Sequence, residues 1–265
     1  MSTKPSFVVA RLIENKIIAR DCHTLIFNGD MCASPGQFVM IWIPGVDEIP
    51  MSISHQAENR IGITVKIVGE ATQALASLTR GTRVRIRGPY GRPFEIKGQN
   101  PVLVAGGIGV APLHLLACSM RGKRIRGTVI IGAKTEREIS LKKDFEELGF
   151  ETIVATDDGS AGYHGTASDC LRKELSQERG FDFVYCCGPE AMIKSILEIS
   201  NKRGILGQAA LERLMKCGIG ICGACAINDK LICKDGPVFD FSQLKNLSEF
   251  GKCRRDSSGR TRVIG

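Results

Sequence analysis

Apolar and polar residues alternate along much of the first hundred positions. The pattern runs through the segments FVVARLIENKIIARDCHTLIFNG, QFVMIWIPG, RIGITVKIVG and RVRIRGPYGRPFEI, which are separated or ended by Gly and Pro residues. A period of two is typical of strands with one buried face, and many short strands between turns favour a small β-barrel. The segment ATQALASLTRG interrupts this pattern and predicts one helix, with Gly81 as its stop signal.

From Pro101 onward the apolar residues come in short continuous runs. Such runs are PVLVAGG, RGTVIIGAK, ETIVATDD and FDFVYCCGP, and a helical segment follows each of them. A continuous apolar run predicts a strand that is buried on both faces, and its alternation with helices predicts a doubly wound parallel sheet. We therefore expect a β-barrel domain at 1–98, an α/β domain at 99–208 and a small C-terminal domain at 209–265.

Composition narrows the class of protein. Of the 265 residues, 43% are hydrophobic and 24% are charged, and no apolar run approaches the length of a membrane span. The first residues, MSTKPSFVVARLIENK, do not resemble a signal peptide. We therefore expect a cytoplasmic protein, and in that compartment clustered cysteines more often bind metal or do redox work than form disulfides.

The net charge of +8 raises the question of nucleic-acid binding. The basic residues are dispersed, however, and form only short clusters at 83–87 and 252–255. This distribution favours a solvated basic surface, or docking to an acidic protein, over a nucleic-acid interface.

Three glycine-containing loops are expected at the carboxyl edge of the predicted sheet. They are GGIG at 106–109, CCGPEAM at 186–192 and TDDGSAGYHG at 156–165. Ligands of open parallel sheets bind at this edge, and a helix that begins there presents free N–H groups to an anion. The first loop departs from the usual G-x-G-x-x-G spacing, so by itself it also fits a plain strand–helix turn.

Two segments of the first domain are candidates for a second nucleotide-containing ligand. IPMSIS at 49–54 places hydroxyl groups at alternate positions of an extended segment, and VKIVGEATQAL at 65–75 ends a strand and opens a helix. A helix start with a threonine hydroxyl can hold a pyrophosphate, although an ordinary strand and an ordinary capped helix have the same appearance.

Four cysteines crowd the segment CGIGICGACAINDKLIC with the spacing Cys217-x4-Cys222-x2-Cys225-x7-Cys233. The order C-x4-C-x2-C…C is that of plant-type [2Fe–2S] ferredoxins. Glycines between the cysteines let the backbone wrap closely and aim N–H groups at sulfur. A zinc site would favour two C-x2-C pairs, and a disulfide framework is a weaker alternative. Cys253 is left outside this set.

Together these motifs resemble the ferredoxin–NADP reductase superfamily. The C-terminal segments LERLMKCGIGICGACAI and CKDGPVFD make the resemblance specific to the electron-transfer subunits of heteromeric, NAD-dependent dihydroorotate dehydrogenases, and the similarity extends over essentially the whole chain. The spacer before Cys233 is short compared with many members.

The resemblance implies FAD, a [2Fe–2S] cluster and NAD(H) as substrate. Ser52 would hydrogen-bond the flavin N5. The backbone and thiol near Cys187, Gly188 and Pro189 would approach the nicotinamide, and Gly107 and its neighbours would face the dinucleotide phosphates. One position departs from the family pattern: Ile49 replaces the arginine that pairs with the flavin phosphate. Either another residue, for example Lys66, supplies this charge, or the helix start at Thr72 holds the pyrophosphate alone.

The predicted site residues fall into three sets, and the resemblance implies no catalytic side chain. The FAD set is Pro50, Met51, Ser52, Ile53, Lys66, Ile67, Val68, Gly69, Ala71 and Thr72. The dinucleotide set is Gly106, Gly107, Gly109, Pro112, Asp157, Asp158, Cys187, Gly188, Pro189, Glu190 and Met192, although Met192 also fits a core position. The metal set is Cys217, Cys222, Cys225 and Cys233.

The implied function is electron transfer in pyrimidine biosynthesis. Electrons would pass from an FMN-containing catalytic subunit, which oxidises dihydroorotate, through the cluster and FAD to NAD⁺ in a heterotetramer of two plus two subunits. Residues 236–239 are expected at the docking face. Two alternatives remain: the reductase module of a ferredoxin:NADP oxidoreductase, hydrogenase or glutamate synthase complex, and a non-enzymatic metal-cluster sensor that binds nucleic acid. The loop AKTERE at 133–138 carries both signs of charge, so the choice between NADH and NADPH stays open.

Overall fold

The computed structural model describes residues 7–256 and 258–264, and its first unit is a closed six-stranded barrel. The antiparallel order around the barrel is β1-β2-β5-β4-β3-β6. The strands are β1 Phe7–Ala19, β2 Cys22–Asn28, β3 Phe38–Ile43, β4 Asp47–Ala57, β5 Arg60–Lys66 and β6 Arg83–Tyr90. The barrel predicted from the alternating pattern is confirmed. Residues 1–6, 257 and 265, which belong to the predicted terminal domains, lie outside the described residues.

One short helix interrupts the barrel strands, as the sequence predicts. This helix, α1, spans Glu70–Ala76 and ends well before Gly81, so the predicted stop signal was wrong. Gly81 lies instead in the turn before β6, where its φ of +95° suits a residue without a side chain. The backbone N–H of Ser77 closes the helix by bonding the carbonyl of Gln73.

The second unit is a seven-stranded sheet with the order β10-β9-β8-β7-β11-β12-β15. Its strands are β7 Pro101–Gly106, β8 Thr128–Ala133, β9 Glu151–Thr156, β10 Tyr163–His164, β11 Phe183–Cys187, β12 Leu206–Ala210 and β15 Val238–Asp240. All neighbours pair in parallel except β15, which runs antiparallel to β12. The four predicted strands are confirmed, whereas β10, β12 and β15 were not predicted.

Helices cover both faces of this sheet. They are α2 Val110–Gly122, α3 Lys142–Glu147, α4 Ala167–Ser176 and α5 Glu190–Lys202. Successive residues of β7 face opposite ways: Val104 packs in the core that includes α4 and α5, and Leu103 packs in the core that includes α2 and α3. This two-sided burial is the physical reason for the continuous apolar runs, and it confirms the doubly wound arrangement.

The C-terminal segment contains small elements. They are the hairpin β13 Ala226–Ile227 and β14 Lys230–Leu231, the helices α6 Ile232–Asp235 and α7 Phe241–Lys245, and the hairpin β16 Cys253–Arg255 and β17 Thr261–Val263. Strand β15 joins this segment to the α/β sheet, and the predicted boundary between 208 and 209 falls inside β12. Within the described residues, no helix is long and apolar enough to cross a membrane.

Candidate functional site

The register of the sheet brings the three glycine-containing loops to one edge. Cys187 at the end of β11 pairs with Ala105, and Gly106 at the end of β7 pairs with Gly132 on β8. On the far side of β8, Ala133 pairs with Thr156, where the TDDGSAGYHG loop begins. The common carboxyl edge predicted for these loops is therefore present.

Gly106, Gly107 and Gly109 have different roles in this edge. A Cβ at Gly109 would lie 2.0 Å from the carbonyl oxygen of Cys187, and one at Gly106 would lie 2.6 Å from Sδ of Met192. These two glycines let the loops approach each other. Gly107 has a φ of +53° and open space around its missing Cβ, so of the three it is the one suited to face a ligand.

The segment after β11, which includes the start of α5, makes several contacts within the protein. Met192 packs against both Gly106 and Gly188, which supports the core role. The carboxylate of Glu190 forms a salt bridge of 2.8 Å with the guanidinium of Arg213 and accepts a hydrogen bond of 2.9 Å from the N–H of Gly251. Its carboxylate therefore already has partners, and the sequence analysis did not single out Arg213.

The remaining residues of the dinucleotide set vary in exposure. Pro112 is buried in the first turn of α2, whereas Pro189, Asp157 and Asp158 are exposed at the edge of the sheet. Hydrogen bonds from the side chain and backbone of Ser160 lower the pKa of Asp158. Burial raises the pKa of Cys187 well above its usual range, so this thiol stays protonated at neutral pH.

The predicted flavin segment forms the middle of β4. Pro50 pairs with Met40 of β3, and Ser52 pairs with Phe38. Pro50, Met51 and Ser52 are half-buried, whereas Ile53 is fully buried in the barrel core. Pro50, Met51 and Ser52 are therefore accessible to a ligand, whereas Ile53 packs in the barrel core beneath the surface of the strand.

The second flavin segment follows β5. The hydroxyl of Thr72 accepts hydrogen bonds from the N–H groups of Val68 and Gly69, at 2.9 and 3.0 Å, and donates to the carbonyl of Gly69. The Thr72 hydroxyl therefore holds the loop before α1, and these three hydrogen bonds occupy its one proton and both of its lone pairs. Nothing described lies within 4 Å of a Cβ built on Gly69, so this loop is open to a ligand. Ala71 is half-buried in the first turn of the helix.

Two cations could replace the arginine that is missing at position 49, namely Lys66 and Arg87. Lys66, at the end of β5, lies 2.6 Å from Glu138, and Ile67 beside it is half-buried. Arg87 holds Glu48 with two hydrogen bonds of 2.6 and 2.7 Å. Both cations therefore already have an acidic partner, which disfavours either of them as the replacement for the family's arginine.

The four clustered cysteines fall into two pairs. The side chain of Cys217 lies beside that of Cys222, and the side chain of Cys233 lies beside that of Cys225. In the described part of the chain, no three of these sulfurs lie within 4.8 Å of one another. A single tetrahedral zinc ion would hold all four within about 3.8 Å, given zinc–sulfur bonds of about 2.3 Å. Two separate pairs instead fit a binuclear cluster with two thiolates on each iron.

Backbone N–H groups point at these sulfurs. Cys217 accepts from Ile219, Ile221 and Cys222 at 3.4 to 3.5 Å. Gly220 donates to Cys233 at 3.1 Å. The three glycines of the loop, at 218, 220 and 223, all have φ between +71° and +80°, a conformation that glycine adopts without strain. The wrapped backbone expected from the sequence is therefore formed.

These N–H groups also affect ionisation. Burial opposes the charged form of Cys217, but the three N–H donors and the side chain of Cys222 outweigh it and lower its pKa to about 6. Burial and the neighbouring Cys225 sulfur raise the pKa of Cys233 to about 12. The lowered pKa of Cys217 favours the thiolate, the form that binds iron.

The cysteine loop lies beside the flavin segment. A Cβ on Gly218 would lie 2.9 Å from Cγ of Met40, and Met40 pairs with Pro50 in the barrel. The turn at 107–109 also contacts β5 of the barrel. Tertiary packing thus brings the flavin segment, the glycine-rich turn and the cysteine loop together, although they lie far apart in the sequence.

Two family models match this chain. Residues 212–245 match the iron–sulfur cluster binding domain of dihydroorotate dehydrogenase B. Residues 103–198 match the oxidoreductase NAD-binding domain. The first covers the cysteine loop and the second covers the glycine-containing edge of the sheet.

Known proteins resemble the chain over most of its length. The structure of an NADH-dependent reduced ferredoxin–NADP oxidoreductase is similar with a TM-score of 0.80 and 29% identity, covering 89% of each chain. Relatives named "Probable dihydroorotate dehydrogenase B (NAD(+)), electron transfer subunit" occur in Pyrococcus furiosus and Methanocaldococcus jannaschii. The Pyrococcus protein is 47% identical, and the similar region covers 87% of this chain and 89% of the relative. The Methanocaldococcus protein is 41% identical, and the similar region covers 96% of this chain and 97% of the relative. The chain belongs to the family of electron transfer subunits of NAD(+)-dependent dihydroorotate dehydrogenase B.

Proposed function

We propose that this chain passes electrons from an FMN-containing, dihydroorotate-oxidising catalytic subunit to NAD⁺, by way of a [2Fe–2S] cluster and FAD. The observation that carries the proposal is the contact of Gly218 with Met40, because it sets the cysteine loop one strand away from Pro50. Bound FAD would convert the one-electron chemistry of the cluster into the two-electron hydride chemistry of NAD(H).

The residues have separate roles in this proposal. Pro50, Met51 and Ser52 would line the flavin ring, and the open loop at Gly69 and Ala71 would hold its pyrophosphate. Gly107 would face the phosphates of NAD(H), and the backbone at Gly188 would approach the nicotinamide. Cys217, Cys222, Cys225 and Cys233 would hold the iron–sulfur cluster, which supplies one-electron transfer.

The partner is expected at the cysteine loop. Ile219 and Ile221 are 44% and 77% exposed beside the sulfurs, and adjacent exposed apolar side chains are typical of a protein–protein contact. We propose that this surface docks the catalytic subunit in a heterotetramer of two plus two subunits. The residues predicted for docking, Gly236, Pro237, Val238 and Phe239, are buried, so they support this surface from within. The eleven free cysteines fit a reducing compartment, and we place the complex in the cytoplasm.

Substitution of one cluster ligand tests the proposal. In the reconstituted complex, Cys222→Ser is expected to abolish dihydroorotate-dependent NAD⁺ reduction and to leave NADH oxidation by an artificial dye intact. The matched control is Cys32→Ser, at an exposed cysteine of the barrel unit, which should preserve both activities. Survival of the physiological activity in Cys222→Ser would overturn the proposed route.

A related reductase function is the second candidate, since the similar ferredoxin–NADP oxidoreductase structure shares 29% identity. The two candidates differ in their partners. Co-purification with an FMN-containing subunit and dihydroorotate-dependent reduction of NAD⁺ favours the first, and ferredoxin-dependent turnover without that subunit favours the second. Light scattering of the purified complex tests the two-plus-two stoichiometry.

A further inference from the structure

Two histidines and an aspartate meet where the barrel packs on the α/β unit. His55 lies on β4 of the barrel, and His114 lies on α2. Their ring centroids are 4.3 Å apart, with 36° between the ring planes. Asp144 on α3 joins them, so that one ligand atom from each of the three side chains lies within 4.8 Å of the others. No motif in the sequence indicates this cluster.

Hydrogen bonds hold both rings in place. Nδ1 of His114 donates to the backbone carbonyl of Ser54 at 2.8 Å. This ring therefore carries its proton on Nδ1 and keeps a lone pair on Nε2, an arrangement that suits a metal-bound histidine. Nδ1 of His55 lies 2.8 Å from Oγ of Ser54, and the same Oγ accepts a hydrogen bond from Thr64 at 2.8 Å.

The electrostatic environment keeps both rings neutral. Burial lowers the pKa of His55 to about 4, with His114 and Lys16 adding to the effect and Asp144 opposing it. Burial also lowers the pKa of His114, against the hydrogen bond to Ser54 and the charge of Asp144.

The third residue, Asp144, lies on the short helix α3. Helix α3 begins directly after the buried Leu141, whose φ of +57° is unfavourable for a residue with a side chain. Phe145, which follows Asp144 in the helix, packs edge-on against the ring of His114 at 5.5 Å. Strain of this kind persists where the surrounding structure requires a particular geometry.

We propose that His55, His114 and Asp144 form a binding site for a divalent transition-metal ion of the zinc class, which ties the barrel to the α/β unit. Two imidazoles and one carboxylate are a ligand set that zinc accepts, with water as the fourth ligand. Zinc bonds of about 2.0–2.2 Å hold ligand atoms about 3.3 Å apart, so modest side-chain rotations would complete the site. Because the three residues come from β4, α2 and α3, the bound ion would restrict motion between the two units.

Zinc titration of the holoprotein, loaded with cluster and flavin, tests this site. Elemental analysis after gel filtration is expected to find one zinc per chain in addition to the cluster iron, and zinc should raise the melting temperature. His55→Gln and Asp144→Asn should each weaken zinc binding at least about tenfold and abolish the thermal shift. His164→Gln, at an exposed histidine, is the matched control and should bind zinc normally.

X-ray absorption at the zinc edge separates this site from the cysteine loop. Nitrogen and oxygen neighbours at about 2.0–2.2 Å support the proposal, whereas a shell dominated by sulfur at about 2.3 Å places zinc at the cysteines and overturns it. Unchanged zinc binding in both His55→Gln and Asp144→Asn would also overturn it. Dye-linked NADH oxidation, measured on each variant, verifies that the chain is folded, and the outcome does not depend on the proposed physiological partner.

Discussion

Glu190 and Arg213 form a buried ion pair, 2.8 Å long, between the first residue of α5 and the segment that leads into the cysteine loop. Their side chains are 8% and 2% exposed. Arg213 also donates to the carbonyl of Cys253 at 2.7 Å, and Gly251 donates to Glu190. The ion pair and these two hydrogen bonds therefore connect the nucleotide edge, the cysteine segment and the C-terminal hairpin.

Removal of the arginine from this pair should destabilise the protein. Arg213→Met leaves the buried carboxylate of Glu190 without its cation, and we expect a loss of about 3–5 kcal/mol in the free energy of unfolding. Chemical denaturation measures the loss. The exposed neighbour Glu212, replaced by Gln, is the control and should change stability by less than about 0.5 kcal/mol. Equal stabilities of the two variants would show that the pair does not hold these segments together.

Two glycines of one loop should respond differently to alanine. In Gly109→Ala the new methyl group meets the carbonyl of Cys187 at 2.0 Å, so the backbone must move, at a cost of about 3 kcal/mol or more. In Gly107→Ala the methyl group has room, and only the left-handed backbone costs about 1–2 kcal/mol. We expect Gly107→Ala to remain folded and to bind NADH more weakly, as measured by fluorescence titration. Unchanged NADH affinity in Gly107→Ala would argue against a phosphate contact at this glycine.

Acid should destabilise the protein through His55. Its pKa is about 4 in the folded chain and about 6.5 when unfolded, so the unfolded state binds the proton more tightly. The stability that neutral His55 supports is present above about pH 6.5 and is lost as the pH falls toward 4, by about 2–3 kcal/mol in total. Melting temperatures between pH 7 and 5, in a chelating buffer, should fall less steeply for His55→Gln than for the wild type. His164→Gln should follow the wild-type profile, and identical slopes for all three proteins would contradict the assignment.

Lys66 should contribute little to flavin binding. Glu138 already neutralises its charge at 2.6 Å, so we expect Lys66→Met to weaken FAD binding by no more than about threefold, which is under 1 kcal/mol. The dissociation constant of FAD, measured by flavin fluorescence, tests this expectation. Lys142→Met, which removes an exposed lysine paired with Glu146, is the control for the change in net charge. A loss of more than tenfold in Lys66→Met alone would identify Lys66 as the replacement for the family's arginine.

Much of the site follows from local sequence. The cysteine spacing and its glycines predict a wrapped loop, because N–H donation and positive φ are decided within a few residues. The continuous apolar runs predict strands buried on two faces, since helices must cover both sides of a parallel sheet. Strand β12, with the sequence LGQAA, was missed because it contains small and polar residues instead of a continuous apolar run, and β15 was missed because three residues leave no periodic signal.

The sequence by itself determined the barrel, the α/β sheet and the four cysteines, because hydrophobic period and ligand spacing are properties of short segments. Tertiary structure alone decided which residues became partners. It paired Glu190 with Arg213, and it brought His55 of the barrel to His114 of α2. Such contacts depend on how segments that are distant in the sequence pack against each other, and this packing produces no periodic pattern within any one segment.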